Sequence, residues 1–526
     1  MGQTAFNLID ERWILATDTQ GITKELSLSE TFVKAHELRA LSGEMPAQDV
    51  AVLRLLLGVL YAVYTRTDEY IGAREDEDAG AAREYWKKLW DAGRFEEERI
   101  TDYLRGYQDR FWLIHPEHPF YQVARLDKGT KFTTGKLIGD LAESSNKAQL
   151  FPLYNGEAKK AVTFSAAARW LVYLHSFVDN SGKPAVYGSG VKGGGPGWLG
   201  HFGVVWVCGN NLFETLLLNF SLYDRNEKLW EDGQATWELD IPRTEERTEI
   251  PIPISQTELL TLQSRRVLLF SENDLVVDYI EMGGDRFAHE NAFIELMTAW
   301  SYKTGADVYL PRKHDTTKQL WRSVSPLIAE TANTRIPGVV KWLVDLEYDG
   351  IIQVYKMEVC ALCIAYGAQS SGVKEVWADS IALNAALLSR LRENWLTRIT
   401  KLLEVTEKMV NQTGYLASDL AIATGDRDGK TKRASAREEA YFRLDLPFRS
   451  WLAAINPQTD DIEAIADKWV NITRKVVLDL GAEMVSQAGT KAFVGREVEV
   501  KNKKYRYTAP EVYNKFRRIV KRIKEE

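Results

Sequence analysis

Four stretches in the last third of the chain, 378–411, 436–455, 460–486 and 508–524, are Ala- and Leu-rich, carry apolar residues at helical spacing, and are joined by polar loops. Helices of this kind each have one stripe to bury, and packing against one another is the simplest way to bury it. The spacing therefore predicts a C-terminal four-helix bundle. Upstream the character is mixed. Apolar spacing predicts a helix from Asp49 through Val63, with Asp49 as its cap, and a second over Ser165–Phe177, capped by Ser165. Phe6–Ile14 reads as a short strand or hairpin arm, Phe202–Val207 as a buried strand, and Trp237–Ser325 as short strands and loops. The expected fold class is α+β: a large mixed N-terminal domain over 1–375 and a four-helix bundle over 376–526, with the boundary near Ser370-Ser371-Gly372. At 526 residues, 45% hydrophobic and 27% charged, the chain is long and apolar enough to build such cores without staples.

Several function classes are disfavoured at once. Three cysteines, Cys208, Cys360 and Cys363, are too few for a disulfide framework and fit a reducing cytoplasm. The start Met1-Gly2-Gln3-Thr4 lacks the basic and apolar segments of a signal peptide, and no run of about 18 apolar residues suggests a membrane span. The net charge of −7 argues against wholesale nucleic-acid binding, but charge is unevenly placed. Glu75-Asp76-Glu77-Asp78 is an acidic run. Between Lys501 and Lys524 ten basic residues stand against one acid, Glu511. Lys515, Arg517, Arg518 and Lys521 form a dense stripe there, and Lys430, Lys432, Arg433 and Arg437 add to it. A solvated helix face and a phosphate-backbone contact are both open for such a stripe.

The most unusual local feature is Gly182–Gly197, seven glycines in sixteen residues, with Lys192 within it. Glycine lets the backbone approach a ligand closely and offers amide donors to anions. The stretch is neither a P-loop nor a dinucleotide fingerprint, because the required spacing and strand–turn–helix context are missing. The bland alternative is a surface connection. Cys360-Ala-Leu-Cys363 has metal-ligand spacing but no second pair of ligands, and its flanks from Val354 to Ala365 read as helical, so buried core thiols are expected. His115-Pro-Glu-His118-Pro holds two histidines, but its prolines point to a turn rather than a metal-binding helix. No Ser-His-Asp order, no carboxylate pair, no metal site and no cofactor fingerprint stands out, so no catalytic residue is assigned.

Taken in order, Phe6-Asn-Leu-Ile-Asp-Glu-Arg-Trp13, His115-Pro-Glu-His-Pro-Phe120, the glycine loop ending Val191-Lys-Gly-Gly-Gly-Pro196, Gly284-Asp-Arg-Phe287, Tyr366-Gly-Ala-Gln-Ser370 and Arg437-Glu-Glu-Ala-Tyr-Phe-Arg-Leu444 resemble the CasA family, the large subunits of the type I-E CRISPR Cascade complex. The resemblance implies a non-catalytic subunit of an RNA-guided assembly in the cytoplasm. Its partners would be the other Cascade subunits, a guide RNA, double-stranded target DNA and the Cas helicase-nuclease, with no membrane. Base pairing would read the sequence while the protein reads the short protospacer-adjacent motif (PAM) beside the target. By resemblance the PAM-reading glycine loop falls on Tyr187, Gly188, Ser189 and Gly190, and a basic finger on Arg286, where the family's best-known finger is a lysine. A glutamine wedge falls on Gln369, and Phe151 matches an aromatic contact to the 5′ end of the guide. Lys192, Lys515, Arg517, Arg518 and Lys521 would meet phosphates. A degenerate, narrow minor groove suits backbone atoms and one flexible cation. The competing readings are a hydrolase or transferase whose glycine loop holds a phosphorylated small molecule, and a helical interaction scaffold.

Overall fold

A computed structural model of the chain describes residues 4–139, 154–180, 195–352, 356–388, 393–426, 428–500 and 503–524. The chain divides into two compact units. One comprises 1–317, 330–346 and 357–380, and the other 318–329, 347–356 and 381–526. The second unit thus draws in two earlier segments that a single boundary near 375 does not contain.

In the first unit the long apolar helix is Pro46–Tyr64. It starts three residues before Asp49, with Met45 at the cap position and Pro46 in the first turn. Asp49 instead accepts a hydrogen bond from Gly43 N at 2.6 Å, closing the preceding loop. Proline suits a first helical position because its missing N–H has no helical partner there. By length and composition this helix could cross a membrane, contrary to the sequence expectation, yet 94% of its apolar window is buried inside the fold. Against it packs Phe164–Phe177, whose cap is Thr163 rather than Ser165, with the Thr163 hydroxyl accepting from Ala166 N. Around these helices lie small sheets. The one that matters here is three-stranded, with Val373–Asn384 beside Lys356–Tyr366 and then Val204–Cys208. A second hairpin pairs Arg265–Glu272 with Leu275–Gly283.

Two sequence expectations fail in that region for one reason. Val359–Ile364 is buried without alternation, so its apolar run lacks a strand's period and reads as helix, and the helix expected from 378 overlaps the partner strand. Cys360 and Cys363 therefore sit on a strand, 7% and 3% exposed, as free thiols, and Cys360 Sγ lies 3.4 Å from Cys208 Sγ.

The second unit holds the long helices Glu393–Thr424, Gly429–Ala453, Ile462–Ser486 and Ala509–Arg522, with a short helix Gly489–Val494 and a hairpin of Arg496–Val500 with Lys503–Tyr507. The first helix packs against the other three long ones. Its Trp395, Ile399, Leu402, Val405, Met409, Thr413, Leu416 and Leu420 are buried at three- and four-residue spacing, which is the stripe that a bundle requires. Phe448 stacks on Trp321 at 4.6 Å and meets Trp469 edge-on at 5.1 Å, and the Trp469 indole donates to Thr406 Oγ1 at 2.9 Å. Such aromatic pairs contribute about 0.5–1.5 kcal/mol each beyond their area burial. The observed architecture is α+β with a C-terminal helical bundle.

Candidate nucleic-acid interface

Gln369 lies at the tip of the hairpin formed by Lys356–Tyr366 and Val373–Asn384. The tip closes with Gly367 N donating to Gly372 O at 2.9 Å. Gln369 is exposed and has φ 56° and ψ 28°, and Ser370 follows at φ 58°. Two consecutive non-glycine residues in the left-handed region are unfavourable, because Cβ crowds the backbone carbonyl. What holds them is the end of the Phe164–Phe177 helix. Tyr366 Oη donates to Phe177 O at 2.6 Å, and Gly372 N to Asp179 Oδ2 at 2.5 Å. Asn180 N donates to Ser370 O at 2.8 Å, and Asn180 Nδ2 to Gln369 O at 3.3 Å.

Asn180 is also one root of the glycine-rich stretch. The other root, Gly195, donates its N–H to Asn180 Oδ1 at 3.1 Å. Beneath both roots lies a buried charge cluster. Lys136 Nζ pairs with Asp179 Oδ1 at 2.7 Å, with the two side chains 6% and 1% exposed. Arg265 Nε pairs with Glu281 Oε1 at 3.1 Å, and its Nη2 reaches Gly195 O at 2.6 Å and Asp179 O at 3.4 Å. Burial pushes the Arg265 guanidinium below its ordinary pKa, against the pull of Glu281 and Asp179.

Arg286 reaches the same neighbourhood through a close turn. A Cβ at Gly284 would stand 2.3 Å from Gln263 O, so only glycine lets the chain press against 263–265 there. Asp285 then gathers Arg247 at 2.8 Å, Arg266 at 2.6 Å and Arg243 at 3.4 Å. Burial raises its pKa, but Arg247 and Arg266 outweigh that and hold the carboxyl below its usual range. Arg286 is close enough for its charge to oppose that of Arg265. Its side chain is 23% exposed and ion-paired with Glu246 at 3.3 Å. Glu246 thus already engages the Nη2 of Arg286.

Of the residues singled out from sequence, Gln369 is thus tied through Asn180 to the two roots of the glycine loop, and Arg286 lies three residues past Gly283, the ladder partner of Arg265. Tyr187, Gly188, Ser189, Gly190, Lys192 and Phe151 lie outside the described residues. Lys515, Arg517, Arg518 and Lys521 are exposed on Ala509–Arg522, whose opposite stripe Val512, Phe516 and Val520 is buried. Lys515 pairs with Asp419 at 3.3 Å, and Arg517 lies 5.6 Å from the Tyr513 ring centre. In the His115 turn, the imidazole Nδ1 accepts from Glu117 N at 3.1 Å and His118 N at 2.8 Å, so the ring is used in the turn itself. Among the described residues no group of three or more His, Cys, Asp or Glu side chains is placed to hold a metal ion. Cavities of about 540 and 760 Å3 flank the turn Asp224–Glu231, and neither is lined by any residue of the cluster above.

Sequence reasoning missed Lys136, Asp179, Asn180, Arg265 and Glu281. A signal existed in Arg265-Arg266, two adjacent arginines opening an apolar strand, where alternation must bury at least one. Both are buried, at 1% and 0% exposure.

These features define a two-unit α+β protein whose polar groups converge at loop roots and a strained hairpin tip rather than inside an enclosed pocket. The chain belongs to the CRISPR-associated protein Cse1 family, whose family model matches residues 7–480. It is 26% identical over 508 residues to the CRISPR-associated protein CasA/Cse1 of Thermus thermophilus, covering 93% of each chain. The crystal structure of Thermobifida fusca Cse1 superimposes with a TM-score of 0.85 at 30% identity, over 98% of this chain and 97% of that one. A chain of a CRISPR RNA-guided surveillance complex shares the fold at 16% identity, with a TM-score of 0.73 over 98% of this chain and 100% of that one.

Proposed function

We propose that the chain is the large, non-catalytic subunit of a cytoplasmic RNA-guided surveillance complex, a Cascade assembly. In this role it recognises the PAM of double-stranded DNA through the minor groove, starts unwinding of the target and recruits a helicase-nuclease. Membership of the Cse1 family and the fold shared with a surveillance-complex chain support the assembly. The observation that supports DNA recognition is the convergence at Asp179-Asn180 of an exposed Gln369 tip on one side and the roots of the glycine loop on the other, over Arg265, whose ladder partner Gly283 leads into the turn that carries Arg286.

The chemistry follows from the groove. Backbone amides of Tyr187–Gly190 and a guanidinium at Arg286 suit the acceptor-rich, degenerate minor groove, where a recognition helix does not fit. A side chain beside the PAM can fill the gap left by the first target pair. Unstacking a step costs on the order of a few kcal/mol, which such a wedge offsets until the guide strand pairs. Lys192 and the stripe of Lys515, Arg517, Arg518 and Lys521 meet phosphates, and Phe151 meets the 5′ end of the guide RNA.

Binding of the assembled complex to two duplexes that differ only in the PAM, across a salt series, tests this reading. Both affinities should fall with salt, and the PAM-bearing duplex should stay tighter throughout. Equal affinity for the two duplexes at every salt concentration would refute PAM recognition.

A further inference from the structure

We infer that Asn180 is a positioning residue that couples the glycine loop to the Gln369 tip, so that one carboxamide links PAM reading to strand opening. This deepens the function proposed above and rests on it. Asn180 bonds three backbone groups on two separate segments, the hairpin tip and Gly195. Its N–H donates to Ser370 O at 2.8 Å, its Nδ2 to Gln369 O at 3.3 Å, and its Oδ1 accepts from Gly195 N at 3.1 Å.

A carboxamide is required for this arrangement, because it alone among side chains of that length offers a donor and an acceptor together. A carboxylate would keep the bond from Gly195 and lose the one to Gln369. Alanine would lose both. Among the described residues, the hydrogen bonds that reach Gly367–Gly372 from outside the hairpin come from Asp179 and Asn180. Gln369 and Ser370 are both left-handed, and unfavourable backbone of this kind persists where its surroundings over-determine it.

The far side of the clamp is equally anchored. Gly195 is gripped through its carbonyl by Arg265, which is locked by Glu281 and also touches Asp179 O. Any displacement of Gly195 when a duplex seats on the loop is therefore met by a rigid charged base, and what yields is the Asn180 amide. That amide holds the carbonyl of Gln369 itself. Loss of the amide removes the bond on the Gln369 carbonyl while Asn180 N, Asp179 and Phe177 still hold its neighbours, so Gln369 is the residue that relaxes and no longer points where a duplex end would meet it.

The test uses the complex assembled with its guide and a target carrying a fluorescent adenine analogue at the first pair beside the PAM, so that opening is read directly. The wild type, Asn180→Ala, Asn180→Asp, Gln369→Ala and the double variant Asn180→Ala/Gln369→Ala are compared. Asn180→Ala should open the pair roughly tenfold more slowly. Asn180→Asp should share that defect, since it keeps the Gly195 bond but not the donor to Gln369, and it carries the test if the alanine variant does not assemble. The double variant should be no slower than Gln369→Ala alone, because both changes remove the same device. Wild-type opening by both Asn180 variants beside a slow Gln369→Ala overturns the coupling and leaves the wedge standing. Multiplying defects in the double variant also overturn it. Wild-type opening by Gln369→Ala overturns the wedge, and the coupling with it.

Discussion

Arg265 and Glu281 face each other at 3.1 Å with both side chains 1% exposed, on neighbouring strands directly beneath Asp179 and Gly195. A buried ion pair adds little by forming, yet removing one partner strands the other charge in low dielectric. Glu281→Ala is therefore expected to destabilise the first unit by about 3–5 kcal/mol. Replacing both residues by Met should recover much of that loss while still releasing Gly195. Chemical denaturation of the three variants checks this, and a Glu281→Ala cost below about 1 kcal/mol would show that the pair is not truly desolvated.

His175 gives the fold a pH dependence whose sign is fixed by its surroundings. Its ring is 3% exposed, Nε2 sits 2.9 Å from Tyr121 O, and among the described residues Nδ1 has no hydrogen-bond partner. Burial pushes its pKa down to about 3, with Arg266 and Arg265 adding to the effect. The unfolded chain binds that proton near pH 6.5 and the folded chain does not. Stability from this group is thus complete above about pH 6.5 and falls by up to about 1.4 kcal/mol per unit as the pH drops toward 3. Burial holds His201 at about 3 and His314 at about 4, with the same sign. Asp49 opposes them: burial lifts its carboxyl to about 7, so its contribution grows as the pH falls from 7 toward its ordinary value. Three groups against one leave a net loss on acidification. Urea melts at pH 7.5, 6 and 5 should show it, and His175→Phe should flatten the slope by about one proton.

The basic stripe on Ala509–Arg522 is predicted to act without reading sequence. Changing Lys515, Arg517, Arg518 and Lys521 to Gln should weaken binding of PAM-bearing and PAM-free duplexes by similar factors. The slope of log affinity against log salt should become shallower by roughly 0.9 for each phosphate that is no longer neutralised. An unchanged slope in a filter-binding salt series would leave the stripe as a solvated helix face.

The bundle was legible because its helices are amphipathic over many turns, and Ile462–Ser486 and Ala509–Arg522 begin within two residues of where the spacing puts them. The hairpin carrying Gln369 was not, because Val359–Ile364 is buried on both faces and periodicity cannot tell such a strand from a core helix. Caps misled for a similar reason: Asp49 and Ser165 have the right chemistry, but Pro46 and Thr163 lie where the chain actually turns. In the candidate site, Gln369 and Arg286 came from ordered motifs. Asn180 could not, and the Arg265-Arg266 pair signals burial but not its partner, since their meaning lies in bonds that cross 189 and 70 positions of sequence, to Gln369 and Gly195 respectively.

The assignment of separate roles to Arg286 and Gln369 stands or falls with R-loop formation on two targets, one fully paired and one already mismatched beside the PAM. Unstacking is the step a wedge offsets, and a mismatch removes that step in advance. Gln369→Ala should form R-loops slowly on the paired target and at the wild-type rate on the mismatched one. Arg286→Ala, which weakens the encounter with the PAM itself, should be slow on both. Equal rescue of the two variants by the mismatch, or rescue of neither, would contradict the account.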